Sequence, residues 1–235
     1  MRPERLQAIC FDIGGTLVRM PRGTLAEEIA TALGVGRPRV RDLLIAYGKC
    51  RLAAPTEIAT LIADGCGRPD AAPVVTRLLE NRRHDVQHPA LFDETLGVLR
   101  RLTDAGWPLF YLSNAVGYTG MTAAPAYYSY ARAVFHSWQI GVCTPDRAAF
   151  DTVVGAVGVP PEAMLHVGDS FDTDVAGALA AGWQAVYLDR HGLGPLRAGV
   201  PRITDLTGLT ALLPSGPAGS GSSRDLTRAP SGFGR

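Results

Sequence analysis

Three short segments carry the side chains able to do chemistry. Phe11-Asp12-Ile13-Gly14-Gly15-Thr16 sets a carboxylate before a glycine pair, and Tyr111-Leu112-Ser113-Asn114 ends in a hydroxyl and an amide. Val167-Gly168-Asp169-Ser170 brings a second carboxylate, with Asp172 and Asp174 close behind. Brought together, Asp12 and Asp169 repel: at roughly 4 Å and an effective dielectric near 20 the pair costs about 4 kcal/mol. Either one carboxyl keeps a proton or a cation sits between them. Few oxygen ligands at a polar cleft favour Mg2+, which retains several waters and accepts phosphate oxygens. Taken singly, Asp12 or Asp169 reads equally well as the cap of a turn or helix. Their joint order is the stronger signal.

Each segment closes a short apolar run: Gln7 to Phe11, Pro108 to Leu112 and Met164 to Val167, with similar runs at Ala133 to Phe135 and Ala185 to Leu188. Runs of this length, apolar on both faces, predict parallel strands. Helical patterns lie between them at Pro89 to Asp104, Pro145 to Val157 and Asp172 to Ala181. Gly106, Gly158 and Gly182 follow these patterns, where a left-handed residue ends a helix. Strand and helix in alternation predict an α/β fold, a Rossmann-like three-layer parallel sheet core. In such sheets ligands bind outside the carboxyl ends of the strands, where all three segments fall.

Residues 21–87 break the rhythm. Thr24 to Leu33, Pro38 to Leu52, Thr56 to Cys66 and Pro73 to Arg83 read as helices with no strand-like run among them. The expected organisation is a core domain of residues 1–20 and 88–213, with residues 21–87 inserted as an all-α helical cap domain. The alternative is one mixed domain with a long crossover. Residues 214–235 are Ser, Gly, Pro and Arg with little that is apolar, the composition of a disordered tail.

The chain has 235 residues, and its 46% hydrophobic content excludes disorder throughout. Its 23 cationic residues face 22 anionic ones without a basic cluster, which argues against a nucleic-acid partner. No stretch approaches the roughly 20 apolar residues of a membrane span, and the N-terminus lacks the apolar segment of a secretion signal. Cys10, Cys50, Cys66 and Cys143 are scattered, without metal-binding spacing, and read as reduced thiols of a cytoplasmic protein. Lys49 is the only lysine. Gly192-Leu193-Gly194, followed by Pro195, reads as a loop and not a dinucleotide fingerprint. Tyr127, Tyr128 and Tyr130 read as core packing before pocket lining.

Phe11 to Leu17, then Leu112-Ser113-Asn114, then His166 to Ser170 with Asp174, together resemble the haloacid dehalogenase (HAD)-like hydrolase superfamily. Gly141 to Phe150 is similar to the neighbourhood of the family's third motif, and Asp174 to Ala178 with Ala181-Gly182 to the helix after its fourth. The likeness covers residues 5–213 and places the helical insert where the family has its C1-type cap. It implies Mg2+-dependent phosphatase-type hydrolysis of a small phosphorylated metabolite, with Asp12 as the nucleophile that forms an aspartyl-phosphate. By the same resemblance Ser113 is catalytic, and Gly15, Thr16, Ser113 and Asn114 bind the phosphoryl group. Asp12, the Gly14 carbonyl, Asp169 and Asp174 hold the metal.

Two positions depart from the family pattern. Gly14 stands where most family phosphatases have a second aspartate that protonates the leaving alkoxide, help typically worth 10²–10⁴-fold. Thr144 stands where the third motif has a lysine, and Lys49 falls in the insert, outside the sheet core. Arg147, Arg132 and His136 are the cations considered for its replacement. These losses leave two further readings: a catalytically impaired protein with a binding or scaffolding role, and a 2-haloacid dehalogenase. The last explains Gly14, since a halide leaves without an acid, but that branch normally needs the absent lysine and not the acidic pair. The sequence leaves the oligomeric state open.

Overall fold

The computed structural model describes residues 1–21, 23–120 and 124–218. In chain order, β1 (Ala8–Phe11) leads to helices α1 (Leu25–Leu33) and α2 (Arg37–Leu44), a two-residue strand β2 (Leu52–Ala53), and helices α3 (Pro55–Gly65), α4 (Ala72–Gln87) and α5 (Thr95–Asp104). Then come β3 (Leu109–Ser113), β4 (Gly117–Tyr118), β5 (Ala133–His136), α6 (Ser137–Ile140), α7 (Arg147–Val157) and β6 (Met164–Gly168). The chain continues through α8 (Gly177–Ala180), β7 (Gln184–Leu188), β8 (Arg202–Ile203) and α9 (Leu209–Leu212).

Six of the strands form one parallel sheet in the order β5-β3-β1-β6-β7-β8. From β1 the chain builds outward to β5, then crosses back and builds the other way from β6. That reversal beside β1 opens a crevice at the carboxyl edge. Alternation of side chains gives the sheet two apolar faces. Ile9, Phe11, Tyr111 and Val167 lie with Val98, Leu99 and Leu102 of α5 on one face. Ala8, Cys10, Phe110 and Leu112 lie with Phe150, Val153 and Val157 of α7 on the other. Helices cover both faces, so the core is the predicted three-layer α/β fold, and the strands read as continuous apolar runs for that reason.

Between β1 and β3, helices α1 to α4 bury an apolar cluster of their own, including Ile29, Leu33, Leu44, Ile58, Ile62, Val75 and Leu79. A capping box starts α1: the Glu27 N–H donates to Thr24 Oγ1 at 3.2 Å, and the Thr24 N–H donates to Glu27 Oε2 at 2.7 Å. The helix expected over Pro38 to Leu52 is shorter. It ends at Leu44, widens into a π turn over Ile45–Lys49, and gives way to β2. A strand therefore does interrupt this stretch. Its partner is β4, with Leu52 beside Gly117 and Ala53 beside Tyr118. Periodicity does not reveal a two-residue strand whose partner lies more than sixty residues on. Gly117 is required there, because a Cβ would lie 2.7 Å from Trp138 Cβ and 2.5 Å from the Arg51 carbonyl oxygen.

The helix expected from Pro89 begins only at Thr95. Before it, the outgoing and returning chains pair with each other: Val18 bridges Leu91 antiparallel, the Arg19 N–H donates to the Ala90 carbonyl at 2.7 Å, and the Phe92 N–H donates to the Leu17 carbonyl at 3.2 Å. Of the segment read as a tail, Pro214 to Ala218 is described, and the Ala218 N–H donates to the Leu6 carbonyl at 2.6 Å. Residues 219–235 lie outside the described residues. Among the described residues no helix is long and apolar enough to cross a membrane.

Candidate active site

Strand register builds the site. Phe11 pairs with Tyr111 on one side and Val167 on the other, so the chain leaves the sheet at one level near residues 12, 112 and 168. The Asp12 N–H still donates to the Val167 carbonyl, at 3.0 Å. One carboxylate oxygen each from Asp12, Asp169 and Asp174 lie within 4.8 Å of one another. Asp172 is exposed and stands outside this group.

Asp174 arrives on a π turn, Phe171–Ala176, where the Thr173 N–H donates to the Ser170 hydroxyl at 3.4 Å. Its carboxylate accepts from the Ser170 N–H at 2.9 Å and from Thr173 Oγ1 at 3.3 Å, with His166 Nε2 3.6 Å away. It fills the space above Gly168, where a Cβ would collide with it. Gly15 does the same for Asp169: its φ is +82°, and a Cβ there would run into the Asp169 carboxylate. Two glycines thus make room for two acids.

The Gly15 amide differs from its expected phosphate-binding role. Its N–H donates to the Val18 carbonyl at 2.8 Å and closes the nucleophile loop. Thr16 is fully buried, and its Oγ1 has no partner of hydrogen-bond geometry. The hydroxyl lies close enough to Asp12 and Asp169 to favour their charged forms. The stronger influences run the other way. Burial, then Asp174, then Asp169 push Asp12 well above the usual carboxylate range. Asp169 is exposed along one edge, but its carboxylate lies against Gly15. Lost hydration there, followed by Asp174, raises it to about 6. Three crowded acids and an orphaned hydroxyl make an oxygen-rich set that fits a small hard dication.

Ser113 ends β3 beside His136 and is 9% exposed at the same edge. Asn114, expected on the phosphate, has its side chain engaged elsewhere. Its Nδ2 donates to the Thr144 carbonyl at 2.9 Å and to Thr144 Oγ1 at 2.8 Å, and its Oδ1 accepts from the Thr144 N–H at 2.9 Å. Both amide protons are spent on holding the loop at position 144. At Gly14, the place a Cβ would take is 3.1 Å from Met20 Sδ.

Of the cations considered for the missing lysine, Arg147 pairs with Asp151 at 3.2 Å on an exposed helix face. His136 loses its hydration, which lowers its pKa to about 4, and its Nε2 lies 3.1 Å from Tyr128 Oη. It is neutral at physiological pH. Tyr127 is buried against Tyr111, whose hydroxyl donates to the Tyr127 carbonyl at 3.0 Å. Arg190 is a residue that sequence reasoning missed. It donates to the carbonyls of Gly15 at 3.1 Å and Thr16 at 2.7 Å, pairs with Glu94 at 2.8 Å, and lies over the Phe92 ring. It stands just past the end of β7, so the strand-end rule, carried to the last long strand, finds it.

The chain matches a family model described as haloacid dehalogenase-like hydrolase over residues 6–182. A phosphoserine phosphatase from Thermus thermophilus is 44% identical over 62 residues, 26% of this chain and 24% of that protein. The aligned segment thus spans about a quarter of this relative. A 2-haloacid dehalogenase from Pseudomonas syringae pv. Tomato DC3000 is 20% identical with a TM-score of 0.60, over 88% of this chain and 97% of its own. A HAD phosphatase from Thermococcus onnurineus is 20% identical with a TM-score of 0.55, over 91% and 100%. At these identities the two structures share the fold.

Proposed function

Because the chain belongs to the haloacid dehalogenase-like hydrolase family, we propose that its acidic crevice is the reaction centre of a Mg2+-dependent phosphatase acting on a small phosphorylated metabolite. The grouping of Asp12, Asp169 and Asp174 within 4.8 Å carries this reading. Carbon–halogen hydrolysis has no use for three crowded acids. The short match to a phosphoserine phosphatase points the same way.

Asp12, Asp169, Asp174 and the Gly14 carbonyl would hold the metal, which supplies charge neutralisation for the phosphoryl oxygens. An Asp12 oxygen attacks phosphorus in line, forming a P–O bond as the bond to the leaving alkoxide breaks. With Gly14 in place of an acid, the alkoxide takes its proton from water. A second water then attacks the aspartyl-phosphate, releasing phosphate and restoring the carboxylate. Ser113 offers its hydroxyl to the phosphoryl oxygens. Asn114 acts indirectly, by fixing the loop at Thr144. Helices α1 to α4 form the cap that shields the crevice and selects the substrate. One observation favours the impaired, ligand-binding alternative: the thioether of Met20 fills the space beside Gly14, where the usual acid would project.

Release of phosphate from an aryl phosphate tests the reading. The wild-type protein should show slow turnover that requires Mg2+. Asp12→Asn should lower it on the order of 10³–10⁴-fold. Turnover indifferent to Asp12→Asn overturns the assignment, and metal-free halide release from a 2-haloacid replaces it with the dehalogenase.

A further inference from the structure

The site has a surplus of negative charge at the nucleophile and lacks the lysine that position 144 would carry. The chain's single lysine is Lys49, at the end of the π turn Ile45–Lys49 in the helical insert. Three contacts fix where that turn lies. Cys50 Sγ is 3.5 Å from Cys143 Sγ, and Cys143 immediately precedes Thr144. The Gly48 α-carbon lies so close to Val116 and Ile58 that a Cβ would be 3.4 Å from each. Strand β2, three residues on, pairs with β4 at the mouth of the crevice. Residue 49 is therefore held beside the loop where the family lysine would stand.

The lysine is half-buried, and its ammonium group has no hydrogen-bond or ion-pair partner among the described residues. Burial lowers its pKa, while the nearby Asp12 carboxyl, when ionised, favours its protonated form. Arg82, the other cation acting on it, is itself paired with Glu28 at 2.8 Å. A dehydrated ammonium without an acceptor is costly, and an anion arriving beside it removes that cost. π turns recur at functional sites because their extra residue re-aims a side chain.

We propose that Lys49 reaches from the helical insert to the reaction centre and supplies there the phosphoryl-binding cation that Thr144 does not. The assignment rests on the phosphatase reading for its role in turnover, but not for its role in binding phosphate. Delivery from the insert means that the cation is in place only while the insert sits on the sheet edge. The centre is then complete only with the insert closed over it.

Binding of inorganic phosphate to the full-length, Mg2+-loaded protein, followed by calorimetry, and aryl phosphate turnover test this together. Lys49→Met keeps the aliphatic stem and should weaken phosphate binding at least tenfold and lower kcat/KM about a hundredfold, with Lys49→Arg recovering a substantial part of both. Thr144→Lys supplies the decisive comparison. It should raise kcat/KM at least tenfold more in the Lys49→Met background than in the wild-type background. Should Lys49→Met lower the melting temperature, that background-dependent gain still follows from charge and not from packing.

Phosphate binding and turnover unchanged in Lys49→Met overturn the proposal, and so does a gain from Thr144→Lys that is equal in both backgrounds. Phosphate binding that depends on Lys49 without any turnover supports the assignment and removes the phosphatase reading. Turnover that depends on Asp12 but not on Lys49 does the reverse. A wild-type protein that neither binds phosphate nor turns over removes both.

Discussion

At the sheet edge three carboxylates meet because strand register leaves them no other place, whereas the helical insert above carries one unpartnered ammonium on a widened turn. Asp12 and Asp169 each lie one residue beyond a paired strand, so their approach is fixed by backbone hydrogen bonds deep in the core. Lys49 depends on how two apolar clusters dock, through the short β2–β4 pair and the Cys50–Cys143 contact. The first arrangement is rigid and pre-paid in folding. The second is conditional on a seam of few contacts, and local stability follows contact density. The acidic group is thus built into the sheet, whereas the cation of our proposal comes from the insert.

Changes on either side of the seam break this comparison in different ways. The largest effect belongs to the rigid side. Gly15→Ala forces a Cβ into the Asp169 carboxylate at a φ of +82°, and should cost about 2–3 kcal/mol of stability and roughly 10²-fold in turnover. Chemical denaturation and phosphate release measure the two, and an intact Asp169 position with wild-type turnover contradicts the account. On the conditional side, Gly117→Ala puts a Cβ against Trp138 and the Arg51 carbonyl. It should destabilise by about 1–2 kcal/mol, as overpacking does. Aryl phosphate kcat/KM should fall while calorimetric Mg2+ affinity stays at the wild-type value; a parallel loss of metal binding means the insert helps shape the acidic group.

The smallest effect is a pH slope on the sheet's outer strand. His136 ionises near 4 in the folded chain and near 6.5 when unfolded, so the unfolded state binds the extra proton between those values. Stability is lost as pH falls through this window, by about 1.4 kcal/mol at pH 5.5. Denaturation midpoints at pH 7.5 and 5.5 read this out, and His136→Gln should flatten the slope; an unchanged slope assigns it to other groups.

What could be read in advance divides along the same seam. The parallel sheet, its three layers and the meeting of Asp12 and Asp169 follow from local signals, since apolar runs mark strands and the residues just past them mark the crevice; the choice of Asp174 over Asp172 rests on the family resemblance. The helix read over Thr24 to Leu33 is legible in the same way and is found as α1. The parts that escaped depend on distant partners. Nothing near Asn114 says that its amide is consumed thirty residues away by Thr144, and nothing near Gly15 says that its N–H closes on Val18. Leu52 ends the helical pattern read from Pro38, and β4 recruits it with Ala53 as a strand. Arg190 was within reach of the strand-end rule, which had not been carried as far as β7.

The paired segments Leu17–Arg19 and Ala90–Phe92 form a two-ply stem from which all four insert helices hang. Val18 bridges Leu91 within this stem, and it also accepts the hydrogen bond from Gly15 that shapes the loop after Asp12. The root of the insert and the floor of the crevice are therefore joined through the backbone of a single residue.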